Sequence, residues 1–124
     1  MRLPSDPAAF LATLNARGVR ALIIGATAVA FHAKPRYTQH VDVLVEDTAE
    51  TAALVRAPRE FGAGGIVTAS IPGVTFEEAW PNRVAGTFQD VPVFYISRDD
   101  LIRAKEASAR PIDRFDVCML RSMR

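Results

Sequence analysis

Two short stretches hold residue types that could do phosphate chemistry. In the first, an apolar run ending at Ile24 stops at Gly25 and a series of small residues follows, beginning Ala26-Thr27. A strand that ends this way and feeds a helix leaves unbonded backbone N–H groups and the positive end of the helix dipole at the strand's end, where a phosphate can sit. Gly25, Ala26 and Thr27 are the candidate contacts. The plainer alternative is a turn that needs glycine only for its backbone freedom.

The second stretch is His40-Val41-Asp42. Residues two apart on a strand point to the same face with their first atoms roughly 7 Å apart, a spacing suited to gripping a metal ion and its phosphate ligands. Two carboxylates so placed would hold magnesium, whereas imidazole suits zinc, nickel or copper, so His40 argues against an ordinary magnesium pair. His40 could equally be a locally hydrogen-bonded side chain. Asp42 lies in an apolar run, Val41 to Val45, where an unpaired carboxylate is costly to bury. Metal, Arg36 or a cluster of backbone groups would each serve as its partner. Arg36 and Lys105 are candidate contacts for phosphate or for Asp42, with a solvated surface position as the alternative. His32, ending a short helix, is expected to make a structural hydrogen bond, with substrate contact as the alternative.

These residues need strands and helices to hold them. Asp6 before Pro7 predicts a helix start, with Phe10, Leu11 and Leu14 on one face and Gly18 as the stop. Arg20 to Ile24 reads as a buried strand, Ala26 to His32 as a helix, and Tyr37 to Val45 as the next strand. Pro35 separates the last two. Asp47 and Glu50 have the spacing of a reciprocal cap on a helix from Thr48, which Pro58 should end. After Gly62, Gly64 and Gly65, Ile66 to Ile71 reads as a third strand before the Pro72-Gly73 turn, and a helical turn spans Phe76 to Trp80. Arg83 to Phe88 and Val91 to Ile96, parted only by Gln89-Asp90, predict a hairpin. Ser97 and Asp100 predict the start of a helix to Ala107. A final helix, Pro111 to Arg121, is expected to bury Ile112, Phe115 and Met119. Trp80 is expected to anchor the core or an interface, and Cys118 to pack in the core.

At 124 residues, with 49% apolar and 23% charged side chains, the chain reads as one folded domain spanning 1–124. A net charge of +1 gives no strong nucleic-acid signal, although the last 24 residues are mildly basic. One cysteine cannot form an internal disulfide. With no signal-peptide pattern and no apolar run of membrane-spanning length, the expected location is the cytoplasm, away from membrane.

The segment resembles the nucleotidyltransferase fold of minimal, MNT-like and AbiEii-type proteins. That family carries a strand, a Gly-Gly or Gly-Ser turn, a helix ending near histidine, and an Arg-x-Thr segment leading into Asp-x-Asp. The equivalents here are Gly25-Ala26, Ala28 to His32, Arg36-Tyr37-Thr38 and His40-Val41-Asp42. The downstream SIPGVTFEEAWPNRV and VPVFYISRDDLIRAKEASARPIDRFDV are similar too, including Lys105, Arg110, Asp113 and Asp116. The resemblance implies an α/β (α+β) fold, a mixed sheet with helices packed mainly on one face. It also implies a site that moves a nucleotidyl group from a nucleoside triphosphate with two magnesium ions, held by the paired carboxylates and a third on a neighbouring strand. Ala26 replaces the second glycine or serine, His40 the first carboxylate, and Ile66-Val67-Thr68-Ala69 lacks the third. Between Phe61 and Ile66 the chain is shorter than the family pattern.

The leading expectation is therefore a degenerate, non-catalytic protein that acts by binding a nucleotide or a protein partner. A second reading is a working transferase in which Asp42 and His40, with Asp113 or Asp116, form an altered metal site using magnesium. A third is a self-associating module, a homodimer or a subunit of a toxin and antitoxin pair, joined through a sheet edge that the shortened segment leaves open.

Overall fold

In the computed structural model, which describes residues 6–33, 41–56, 60–61 and 65–122, the chain is an α+β fold on a mixed sheet. Helix α1, Pro7–Ala16, starts where the Asp6 carboxylate accepts the Ala9 N–H at 2.9 Å. Phe10, Leu11 and Leu14 are its buried face. Strand β1, Ala21–Ile24, passes into helix α2, Gly25–His32, with no residue between. Strand β2, Asp42–Val45, helix α3, Ala49–Arg56, and strands β3, Glu60–Phe61, and β4, Gly65–Thr68, follow. Helix α4, Phe76–Ala79, runs into a 3₁₀ turn, Trp80–Asn82. The hairpin β5, Val84–Phe88, and β6, Val91–Tyr95, precedes helices α5, Arg98–Ser108, and α6, Pro111–Ser122.

The strands lie in the order β3-β4-β2-β1-β6-β5. β1 runs antiparallel to β2, setting Ile24 opposite Asp42, and parallel to β6. β2 runs parallel to β4, setting Val43 opposite Val67. Leu22, Ile23, Val43, Leu44 and Val45, on the two central strands, are all but inaccessible. Strands flanked on both sides and covered on both faces need such continuous apolar runs, and burying each Leu, Ile or Val there contributes roughly 1.5–3 kcal/mol. Helix α2 packs on β1 and β2 and also touches α5 and α6, which pack on each other. Through that contact the C-terminal helices reach the β1–α2 turn.

Several local expectations change. The start of α3 is capped by Thr48 and Thr51 instead of Asp47 and Glu50: each threonine hydroxyl accepts the other's backbone N–H, at 3.1 and 2.9 Å. The third strand ends at Thr68, and Ile71 instead bridges Val74 across the Pro72-Gly73 turn. β3 pairs antiparallel with β4 and is the outermost strand on that side of the sheet. Of the strand expected over Tyr37 to Val45, Asp42–Val45 is strand and Val41 precedes it; Tyr37 to His40 lie outside the described residues, as do Pro35 and Pro58.

The largest correction concerns α6. Ile112 and Phe115 are 49% and 58% exposed and Met119 is half-buried, while Asp113, Asp116, Val117 and Leu120 face inward. At 100° per residue this turns the helix about a third of a turn from the apolar expectation. The reason is Lys105, itself buried on α5, whose ammonium lies 3.3 Å from Asp113 and 3.1 Å from Asp116. A buried cation without an anion is far costlier than an exposed Phe or Ile, so the carboxylates take the inner face. Cys118 is exposed for the same reason and does not pack in the core.

Candidate functional site at the Gly25 turn

Gly25 has φ +68°, and a side chain there would place its Cβ 2.9 Å from Asp42 Oδ2. Both facts demand glycine: the conformation disfavours any L side chain, and the Asp42 carboxylate occupies the space one would fill. Pairing of Ile24 with Asp42 across the two strands brings the carboxylate to the first residue of α2. Asp42 Oδ1 also accepts the backbone N–H of Ile66 at 3.2 Å. A backbone group is thus one of the partners that Asp42 needs. A carboxylate against the start of α2 is also favoured by the helix dipole, at the very place where a phosphate was expected.

A cleft of about 140 Å³ opens beside this turn, lined by Gly25, Asp42, Lys105, Ser108, Arg110 and Asp113 among others. Gly25, Asp42 and Lys105, distant in sequence, therefore do meet. Ala26 and Thr27 do not line the cleft, and Thr27 is buried. Arg36 and His40 lie outside the described residues. Ser108 is a cleft residue the sequence reading missed, although it sits three residues from Lys105 on one helix face.

The cations of the cleft are already committed. Arg110 grips Asp113 with Nε donating to Oδ2 at 2.8 Å and Nη2 to Oδ1 at 3.1 Å, and its backbone N–H donates to Oδ2 as well. Lys105 sits between Asp113 and Asp116, so the surface position weighed for it is replaced by a buried one. The Arg110 hydrogen bonds hold the Asp113 carboxyl far below the usual carboxylate range; burial opposes them, while Ser108 and Lys105 add to them. Arg110 is raised in turn, chiefly by its bond to Asp113, with smaller contributions from Asp116 and Asp42.

On the sheet, the position alongside Asp42 on the neighbouring parallel strand belongs to Ile66, which is 48% exposed. Among the described residues no three His, Cys, Asp or Glu side chains come together to hold a metal ion. Asp42 with an apolar neighbour, and Asp113 and Asp116 tied to cations, do not fit a two-magnesium centre. Among the described residues, Asp113 and Asp116 are held by Lys105 and Arg110 and are not grouped with Asp42 around a metal; His40 lies outside those residues.

His32 closes the other end of α2, its Nε2 lying 2.6 Å from the Ile96 carbonyl oxygen, the structural bond expected of it. Trp80 is partly buried, stacked on Phe76 with ring centres 5.4 Å apart and covered by the Arg83 guanidinium at 4.1 Å. No helix among the described residues is long and apolar enough to cross a membrane. Comparison with protein-family models and with curated proteins finds no match for the chain.

Proposed function

We propose that this chain is a non-catalytic nucleotidyltransferase-fold protein that acts by binding, with a protein partner as its principal ligand. The supporting observation is the committed state of the cleft: Lys105 and Arg110 neutralise Asp113 and Asp116, and Ile66 stands beside Asp42. Among the described residues of this cleft, a triphosphate would find both cations already paired and a carboxylate at the helix start. Phosphoryl-type chemistry relies almost wholly on positioning and charge neutralisation, so losing both removes its basis. In the test, purified chain is incubated with labelled nucleoside triphosphates and magnesium or manganese. Neither hydrolysis nor labelling is expected; turnover that Asp42→Ala abolishes would overturn the proposal.

A second reading, nucleotide binding without turnover, is favoured by one feature: the N-cap residue of α2, Ile24, makes no side-chain hydrogen bond to the helix start. The cleft is well below the roughly 300–1,000 Å³ of a typical small-molecule pocket. It suits one phosphate group better than a whole nucleotide. Calorimetric titration with ATP, with and without magnesium, separates this reading from the first.

A further inference from the structure

The outward face of α6 is unusual in what it combines. Ile112, Phe115 and Met119 lie three and four residues apart and form one apolar ridge, with Ile112 and Phe115 about half exposed. Both carboxylates of the helix point inward, so the charged side chains it leaves exposed, Arg114 and Arg121, are cations. Arg121 pairs with Glu106. Arg114, next to Phe115, has no ion pair among the described residues. On its flank a groove of about 290 Å³, lined by Ala109, Val117 and Glu106 among others, separates α6 from the end of α5. Buried ion pairs prevent α6 from rotating to hide the ridge. Lys105 would lose both of its carboxylates, at a cost larger than burying two apolar side chains returns.

We propose that this face docks an amphipathic helix of a protein partner, one whose apolar residues at helical spacing are flanked by Asp or Glu. An apolar row at i, i+3 and i+7, with a groove on its flank, has the spacing at which a second helix packs its own apolar row alongside. Charge selects the partner's chemistry: its carboxylates meet Arg114 and, past Glu106, Arg121. A second copy of the chain fits poorly, because antiparallel pairing of two such faces brings Arg114 toward Arg121 of the other copy. This assignment rests on the proposed binding role and supplies its surface.

The test uses the whole chain and two designed helical peptides with identical leucine ridges, one flanked by glutamate and the other by lysine. Fluorescence anisotropy should show the glutamate peptide binding at least 10-fold more tightly than the lysine peptide. Phe115→Ser with Ile112→Ser, both exposed and so compatible with folding, should weaken it at least 10-fold, and Arg114→Glu should reverse the preference. Equal binding of both peptides, binding of neither, or indifference to the Phe115 change would overturn the proposal. So would dimerisation in light scattering that Phe115→Ser abolishes, or Phe115-dependent binding to phosphatidylserine vesicles in place of the peptide. Triphosphate turnover on the same preparation is the separate control: its presence defeats the non-catalytic reading whatever the peptides do.

Discussion

Gly25 and Asp42 form a pair in which each residue explains the other. A left-handed φ costs an L side chain about 1–2 kcal/mol, and the Asp42 carboxylate lies where a Cβ would go. Gly25→Ala is therefore expected to destabilise the protein by about 1–3 kcal/mol, read as a lower urea midpoint at unchanged slope. In the background of Asp42→Ala the same change should cost less, since the steric part vanishes and the backbone part remains. Additivity within about 0.3 kcal/mol would show that the close approach has no energetic weight. Asp42 is thus explained by position and by the Ile66 N–H without recourse to catalysis.

At the scale of elements, the hairpin shows how a two-residue loop is read from sequence and where it is strained. Gln89 and Asp90 have φ of +47° and +69°, the backbone of a type I′ turn, which asparagine and glycine adopt more readily. Gln89→Asn with Asp90→Gly is expected to stabilise the chain by about 1 kcal/mol, measured by thermal and urea unfolding. A loss of stability would mean that one of the two side chains makes a contact the turn depends on. Helix α6 teaches the opposite lesson. Its length and boundaries follow from Pro111 and the residue pattern, but its rotation does not, because the buried Lys105 that draws Asp113 and Asp116 inward reaches them only through the packing of α5 on α6.

For the whole molecule, the ion pairs of Lys105, Arg110, Asp113 and Asp116 fasten the C-terminal helices beside the Gly25 turn. Asp113 has a folded pKa well below the ordinary carboxylate value near 3.9, so its contribution to stability is complete above pH ~4. That contribution falls away as pH drops toward the lowered folded value. Asp113→Asn is expected to cost about 3–5 kcal/mol at pH 7, because Lys105 and Arg110 lose a shared anion. In urea titrations the gap from the unmodified chain should shrink as pH is taken below ~4. A gap that does not change with pH would assign the loss to packing or hydrogen bonding, not to charge.

Much of the fold was legible before any coordinates because its signals are local. The Asp6-Pro7 start, the glycine after Ile24, the two-residue hairpin loop and the Ser97 cap each act within about four residues, and each appears where expected. The continuous apolar runs of β1 and β2 likewise mark central strands. The candidate site was legible only in part: Gly25, Asp42 and Lys105 converge as named, but what surrounds them was not foreseeable. Ile66 stands beside Asp42 because β4 pairs in parallel with β2, and Lys105 is spent on Asp113 and Asp116 because α5 and α6 pack together. Pairings between distant segments set which charges are neutralised and which apolar residues stay outside. The sequence alone determined most of the elements and marked Gly25 and Asp42 as separate candidates; tertiary structure brought those two together. It also decided that the cations are used up and that the ridge of Ile112 and Phe115 faces out, since burying an ion demands its partner before burying a hydrocarbon is rewarded.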